Sequence, residues 1–143
     1  MDNFSFKVAL RFWHESIEPG EITRNLAIPP IQSWRSGSTR VTPMGTDLKG
    51  LHRESYWHAE PTGNGWRKSS TNELGEAMRS LLLRLMPHEE FIRQLIRSGG
   101  RGAVEISSYG AGAYAIDFPS AILAQCANLE LTLAHVIYDA EQR

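Results

Sequence analysis

Two stretches of similar pattern, each a strand, a helix and a further strand, flank a long helical region and constrain the fold more than any other feature. The first runs from Phe4 through Pro19, Ile22 and Leu26 towards Ile28. The second runs from Tyr114 through Pro119, Ile122 and Cys126 to Ile137. A helix that buries one stripe and a strand that buries one face must share a common layer, so helices packed on a sheet are the natural solution. The expectation is one α+β domain over residues 1–143, with a mixed or antiparallel sheet in a ferredoxin-like or related split β-α-β arrangement. The repeated pattern leaves an internal pseudo-duplication open, because a proline followed by apolar residues precedes many amphipathic helices.

The opening strand is the clearest element. Phe4, Phe6, Val8, Leu10 and Phe12 recur with period two, and Ser5, Lys7, Ala9 and Arg11 take the other face. Pro19 can open a helix over Gly20 to Ala27, with Glu21 in its first turn. Ile22 and Leu26, four apart, share a face, and Pro29-Pro30 stop it. Between Ile31 and Ser55 the chain is broken by Gly37, Pro43, Gly45 and Gly50; Ser38 to Thr42 and Arg53 to Glu60 read as strands. Pro61 to Gly65, with Asn64-Gly65, reads as a turn.

Ser70 and Glu73 stand in a capping-box relation. Leu74, Ala77, Met78, Leu81, Leu82 and Leu85 then line a helical face. Pro87 breaks that helix and opens a second, which carries Phe91, Ile92, Leu95 and Ile96 and ends at Gly99-Gly100. Val104 to Tyr109 and Tyr114 to Phe118 read as a hairpin about Gly110-Ala111-Gly112. A third helix starts at Pro119 or Ser120. Leu129 to Tyr138, apolar on both faces, reads as a central strand that could pair with the first.

The formal charge of −1, from 15 basic and 16 acidic residues, provides no global field for nucleic acid or an anionic membrane. No stretch approaches the ~20 apolar residues that span a bilayer. The alternating N-terminus reads as a strand of a cytoplasmic protein, not as a signal peptide. Cys126 is the one cysteine, which excludes a disulfide framework or a cysteine zinc cluster. It reads as a small buried hydrophobe. No phosphate-loop, dinucleotide, zincin or nucleophile-elbow motif is present, and neither metal nor cofactor is expected. His14 with His58, helped by Glu15 or Glu60, is the best metal alternative, but solvated or hydrogen-bonded strand histidines explain both. Gly99-Gly100-Arg101-Gly102 follows a helix, where the dipole has the wrong sign for an anion.

The chain resembles domain of unknown function 4279, a family of uncharacterised bacterial proteins. The resemblance rests on FSFKVALRF, EPGEITRNLAIPP, ESYWHA, NELGEAMRSLLLRLMP and LELTLAHVIYD, in order along nearly the whole chain. It carries over no catalytic or ligand residue. Some members of the family resemble immunity proteins of bacterial toxin systems.

All four tryptophans fall in the first half, each with a basic neighbour: Trp13 near Arg11, Trp34 near Arg35, Trp57 near His58, Trp66 near Arg67. Tryptophan and arginine are enriched at protein interfaces. Trp34, Arg35, Trp57, His58 and Trp13 are therefore the candidate binding surface, with Glu15, Asp47, Glu54 and Glu60 at its rim. Core filling is the competing explanation for each tryptophan. The leading expectation is a non-enzymatic protein-binding domain, with toxin neutralisation as its specific form. The alternative is a small-molecule-binding protein or enzyme with a pocket between the sheet and residues 31–66. Self-association is a third outcome.

Overall fold

The computed structural model describes residues 3–63, 65–70 and 73–139. Strand β1 (Ser5–His14) is the longest unbroken alternation of the sequence, and Phe4, Phe6, Val8, Leu10 and Phe12 are all buried. Helix α1 (Pro19–Leu26) takes Pro19 in its first turn, and Glu18 caps it by accepting from the Gly20 N–H at 3.0 Å. It ends one residue before its expected limit. Ala27 turns left-handed (φ 55°) and donates its N–H to the Thr23 carbonyl, so the cap acts before the prolines are reached.

Strand β2 (Gln32–Trp34) leads into a separate hairpin, β3 (Thr39–Val41) and β4 (Asp47–Leu51), whose strand residues are all exposed. Strand β5 (Ser55–Ala59) and the short β6 (Arg67–Lys68) follow. Helix α2 (Leu74–Leu85) buries all six residues of the predicted stripe. Its N-cap is Glu73, without a side-chain cap bond, so the capping box from Ser70 does not form. A 3-10 turn at Met86–His88, centred on Pro87, separates α2 from α3 (Glu89–Arg97). Then come β7 (Gly100–Tyr109), α4 (Ser120–Asn128) and β8 (Thr132–Ile137). Of the expected turn at 61–65, Asn64 lies outside the described residues.

The main sheet runs β2-β5-β1-β7-β8, with β6 also on β1. Strand β5 is antiparallel to both β1 and β2, so β1-α1-β2 is a β-α-β unit split by an inserted strand. Strands β7 and β8 pair in parallel across α4, an unsplit unit. The mixed α+β sheet follows directly. The buried apolar stripes of the four helices, from Ile22 and Leu26 to Ile122 and Cys126, join one core with Phe6, Val8, Leu10, Phe12, Trp57, Ala59, Val104 and Ile106. Burying such a side chain stabilises by about 1.5–3 kcal/mol.

Three expectations fail here. Strand β7 begins at Gly100 rather than Val104, because the chain must pass close there. A Cβ on Gly102 would lie 2.7 Å from both Leu131 and Phe12, and one on Gly100 2.6 Å from the Leu95 carbonyl oxygen. Residues 114–118 form no strand; Tyr114, Ile116 and Phe118 pack against the core as an extended segment without a ladder. Finally, β8 is an edge strand, and β1 pairs with β7 and β5 at the centre.

Candidate functional site

The alternation that buries one face of β1 leaves the other to Lys7, Ala9, Arg11 and Trp13. Register assembles the rest of that helix-free face. Trp13 sits opposite Tyr56, and Tyr56 opposite Trp34. Arg11 sits opposite His58, and His58 opposite Gln32. On the β7 side Ala9 faces Glu105 and Trp13 faces Arg101.

These rows form a continuous ladder across four strands. His52 stacks on Trp34 with centroids 4.2 Å apart and planes at 13°. Trp34 meets Tyr56 at 4.6 Å, and Tyr56 meets Trp13 at 5.6 Å. Arg101 lies 4.7 Å from the Trp13 centroid and is held by two 3.0 Å hydrogen bonds to Glu54. At the opposite end of the same face Trp66 packs edge-on against Tyr109 (4.7 Å) and Tyr138 (5.6 Å), with the Lys7 ammonium 5.0 Å from its ring.

The centre of the face is polar. The Arg11 guanidinium donates to the Tyr56 hydroxyl and, at 3.0 Å, to Glu105 Oε1; its Nε is buried without a partner among the described residues. Burial opposes its charge, but Tyr56 and Glu105 outweigh that and raise its pKa. Burial raises the Tyr56 pKa, with Arg11 opposing, so the phenol stays neutral and Glu105 is the balancing carboxylate. Burial, then Arg11, lowers the pKa of His58; Glu60 and Glu105 oppose only in part. Burial and then Arg40 lower that of His52. The face thus presents neutral imidazoles and a fixed guanidinium near pH 7.

Trp13, Trp34 and His58 lie on this face, partly exposed, and Arg35 is exposed beside it. Trp57 does not belong to it. It is fully buried on the core face, 5.8 Å from Phe12, and its Nε1 donates to Thr23 Oγ1 at 3.0 Å. Neighbours on a strand point to opposite sides, and Trp57 pairs with Phe12 on the apolar side. The groups that meet the tryptophans are also not the sequence neighbours: Trp13 takes the Arg101 cation, Trp34 the His52 ring, and Trp66 the Lys7 cation. Tyr56, His52, Arg101 and Glu105 escaped the sequence reading. The alternation Tyr56-Trp57-His58 was the available signal for Tyr56; the others needed the register.

His14 and His58 fall on opposite faces of the sheet. His14 Nδ1 accepts from the N–H groups of Ser16 (3.0 Å) and Ile17 (2.9 Å), so Nε2 carries the proton and donates to Ser98 Oγ at 3.0 Å. It clips the turn after β1 and has no lone pair left for a metal. Among the described residues no three His, Cys, Asp or Glu side chains are placed to hold an ion. Cys126 is buried, and burial raises its thiol pKa. A surface depression beside residues 31–66 is lined by Ile28, Pro29, Pro30, Glu60 and Arg84, with Glu60 and Arg84 its charged groups. No described helix is long and apolar enough to cross a membrane.

Residues 4–140 match a family model described as a domain of unknown function, DUF4279. The chain belongs to the DUF4279 family. The match spans both β-α-β units, both ends of the aromatic ladder and the hairpin between them, so the site lies within the DUF4279 domain. No curated protein and no solved structure matches the chain.

Proposed function

We propose that this chain is a non-enzymatic protein-binding domain whose contact surface is the helix-free face of the sheet. The observation that carries this reading is the ladder His52, Trp34, Tyr56, Trp13 and Arg101. Tryptophan, tyrosine and arginine supply most hot-spot energy in protein interfaces. Here they are held in place by stacking, by Glu54 and by the Arg11–Glu105 pair, so little side-chain entropy remains to be lost on association. A rigid, mixed aromatic and charged face suits occlusion of a partner surface. Toxin neutralisation is the specific form of such occlusion that this chain would serve in a toxin system.

The test is capture of partners from the native cell with the full chain, followed by calorimetry on single variants. Trp13→Ala and Arg101→Ala should each weaken binding by about 2 kcal/mol or more while the melting temperature stays near wild type. A partner bound with undiminished affinity by both variants would refute the assignment of this face.

A further inference from the structure

The β3–β4 hairpin is the part of the molecule that the fold does not explain. It forms a two-stranded sheet apart from the main one. Isolated hairpins are marginal in water, yet this one is carefully held. The Thr42 N–H donates to the Thr46 carbonyl at 2.9 Å, the Thr46 N–H donates to Thr42 Oγ1 at 3.0 Å, and Arg40 donates to the Lys49 carbonyl at 3.1 Å. Gly45 and Gly50 take positive φ (86° and 90°). Its base is joined to the ladder by the Trp34–His52 stack and by the Ser36 N–H on Ser55 Oγ.

The apolar side chains of this arm contribute nothing to the core. Met44 at the tip is 91% exposed, Leu51 59%, Val41 52% and Leu48 40%. Its charge runs against that of the chain. The hairpin carries two bases, Arg40 and Lys49, against one acid, Asp47, and its two flanks add Arg35 and Arg53, within a protein of net charge −1. None of these four bases makes an ion pair among the described residues, whereas the neighbouring Glu54 is taken by Arg101.

We propose that this arm is a docking element that enters a carboxylate-lined cleft of a protein partner, with Met44 leading into an apolar pocket. The inference rests on the protein-binding reading above and adds the chemistry of the partner. The make-up of the arm argues for a cleft. Val41 pairs with Asp47 and Thr39 with Leu51, with a register shift between the two pairs that sets Arg40 and Val41 against Leu48 and Lys49. Apolar and cationic groups are therefore interspersed along both strands, a pattern suited to walls that are apolar and acidic together. An element that lies in a membrane interface needs its apolar groups segregated on one side. Single-stranded nucleic acid would need a free aromatic face, but Trp34 is covered by His52 on one side and flanked by Tyr56 on the other.

The experiment titrates the full chain at low salt with three probes: poly-L-glutamate, oligo-deoxythymidine, and phosphatidylserine–phosphatidylcholine vesicles. Poly-L-glutamate should bind best, more weakly as salt is added, and about tenfold more weakly to Arg40→Glu/Lys49→Glu. Thermal melting should show that double variant to be folded, since both positions are exposed. No binding of poly-L-glutamate, tighter binding of either other probe, or binding indifferent to the double substitution would each overturn the inference. On a captured partner, Met44→Asp should weaken binding to the same extent. A partner that loses Trp13→Ala but binds Met44→Asp and the double variant at full strength rejects the arm and leaves the sheet-face reading standing.

Discussion

Breaking the Arg11–Glu105 pair should cost more than breaking a surface ion pair and less than breaking a buried one. The two side chains are 25% and 19% exposed, and their charges approach to 3.0 Å. At about 4 Å and an effective dielectric near 20, two unit charges attract by about 4 kcal/mol. Desolvation of both partners consumes much of that. Exposed pairs net about 0.2–1 kcal/mol, and removing one partner of a fully buried pair costs about 3–5 kcal/mol. Glu105→Ala should therefore destabilise by about 2–3 kcal/mol, because Arg11 is left with Tyr56, a neutral acceptor, while its Nε is already unpartnered. A double-mutant cycle with Arg11→Met, read by urea denaturation, should return a coupling of about 1–2 kcal/mol. A coupling indistinguishable from zero would show that the two charges are solvated independently and that the centre of the face is not held as described.

Phe6→Ala should destabilise by about 3–5 kcal/mol in the same assay, since the ring is fully buried, and an unchanged midpoint would contradict its place in the core. Ala27→Gly should stabilise by up to about 1 kcal/mol by relieving a left-handed alanine at a helix cap, and a lowered melting temperature would count against that cap. Gly102→Ala should destabilise by about 1–3 kcal/mol or more, because a Cβ would press on Phe12 and Leu131. The folded pKa of His58 lies below the ordinary 6.5, first through burial and then through Arg11, so the folded state binds fewer protons than the unfolded one. Stability should be full above pH 6.5 and fall as pH drops below it; a melting temperature that falls equally for His58→Gln would be incompatible with that assignment.

The parts of the fold that were legible are those where period and face coincide with burial. Strand β1 and helices α1 to α4 follow from the spacing of Phe6, Val8, Ile22, Leu81, Leu95 and Ile122, because an amphipathic stripe states both the element and its buried side. Period two misled at Tyr114, Ile116 and Phe118. Alternating side chains report which groups turn inward, not whether the backbone pairs, and this segment turns three groups inward without pairing. It misled again at β8, where Leu133, Ala134 and Val136 suggested coverage on both faces; a parallel crossover through α4 instead sets the strand at the edge. For the site, Trp13 and Trp34 were legible as interface-type residues, but the inward turn of Trp57 was not. Tyr56 and Trp57 are both aromatic, and only pairing with Phe12 decides which faces the core. Arg101 and Glu105 reach the ladder through β7, far away in sequence, and no local signal could have joined them to it.

The pairing of β1 with β7 brings together residues from Ser5↔Tyr109 to His14↔Gly100, 104 to 86 positions apart in the chain. During synthesis the first strand must wait for most of the polypeptide before its central neighbour exists. Until then β1 can engage β5, β6 and the helices that precede β7, leaving one edge of an apolar strand unpaired. Closing so long a loop late makes folding slow and leaves an intermediate open to aggregation. The same topology ties the ladder to the integrity of the chain, since Trp13 finds Arg101 only when β7 has docked. A product truncated before residue 100 would keep most of the aromatic groups and lack the strand that aligns them, so premature termination there would remove the ordered face outright instead of grading it.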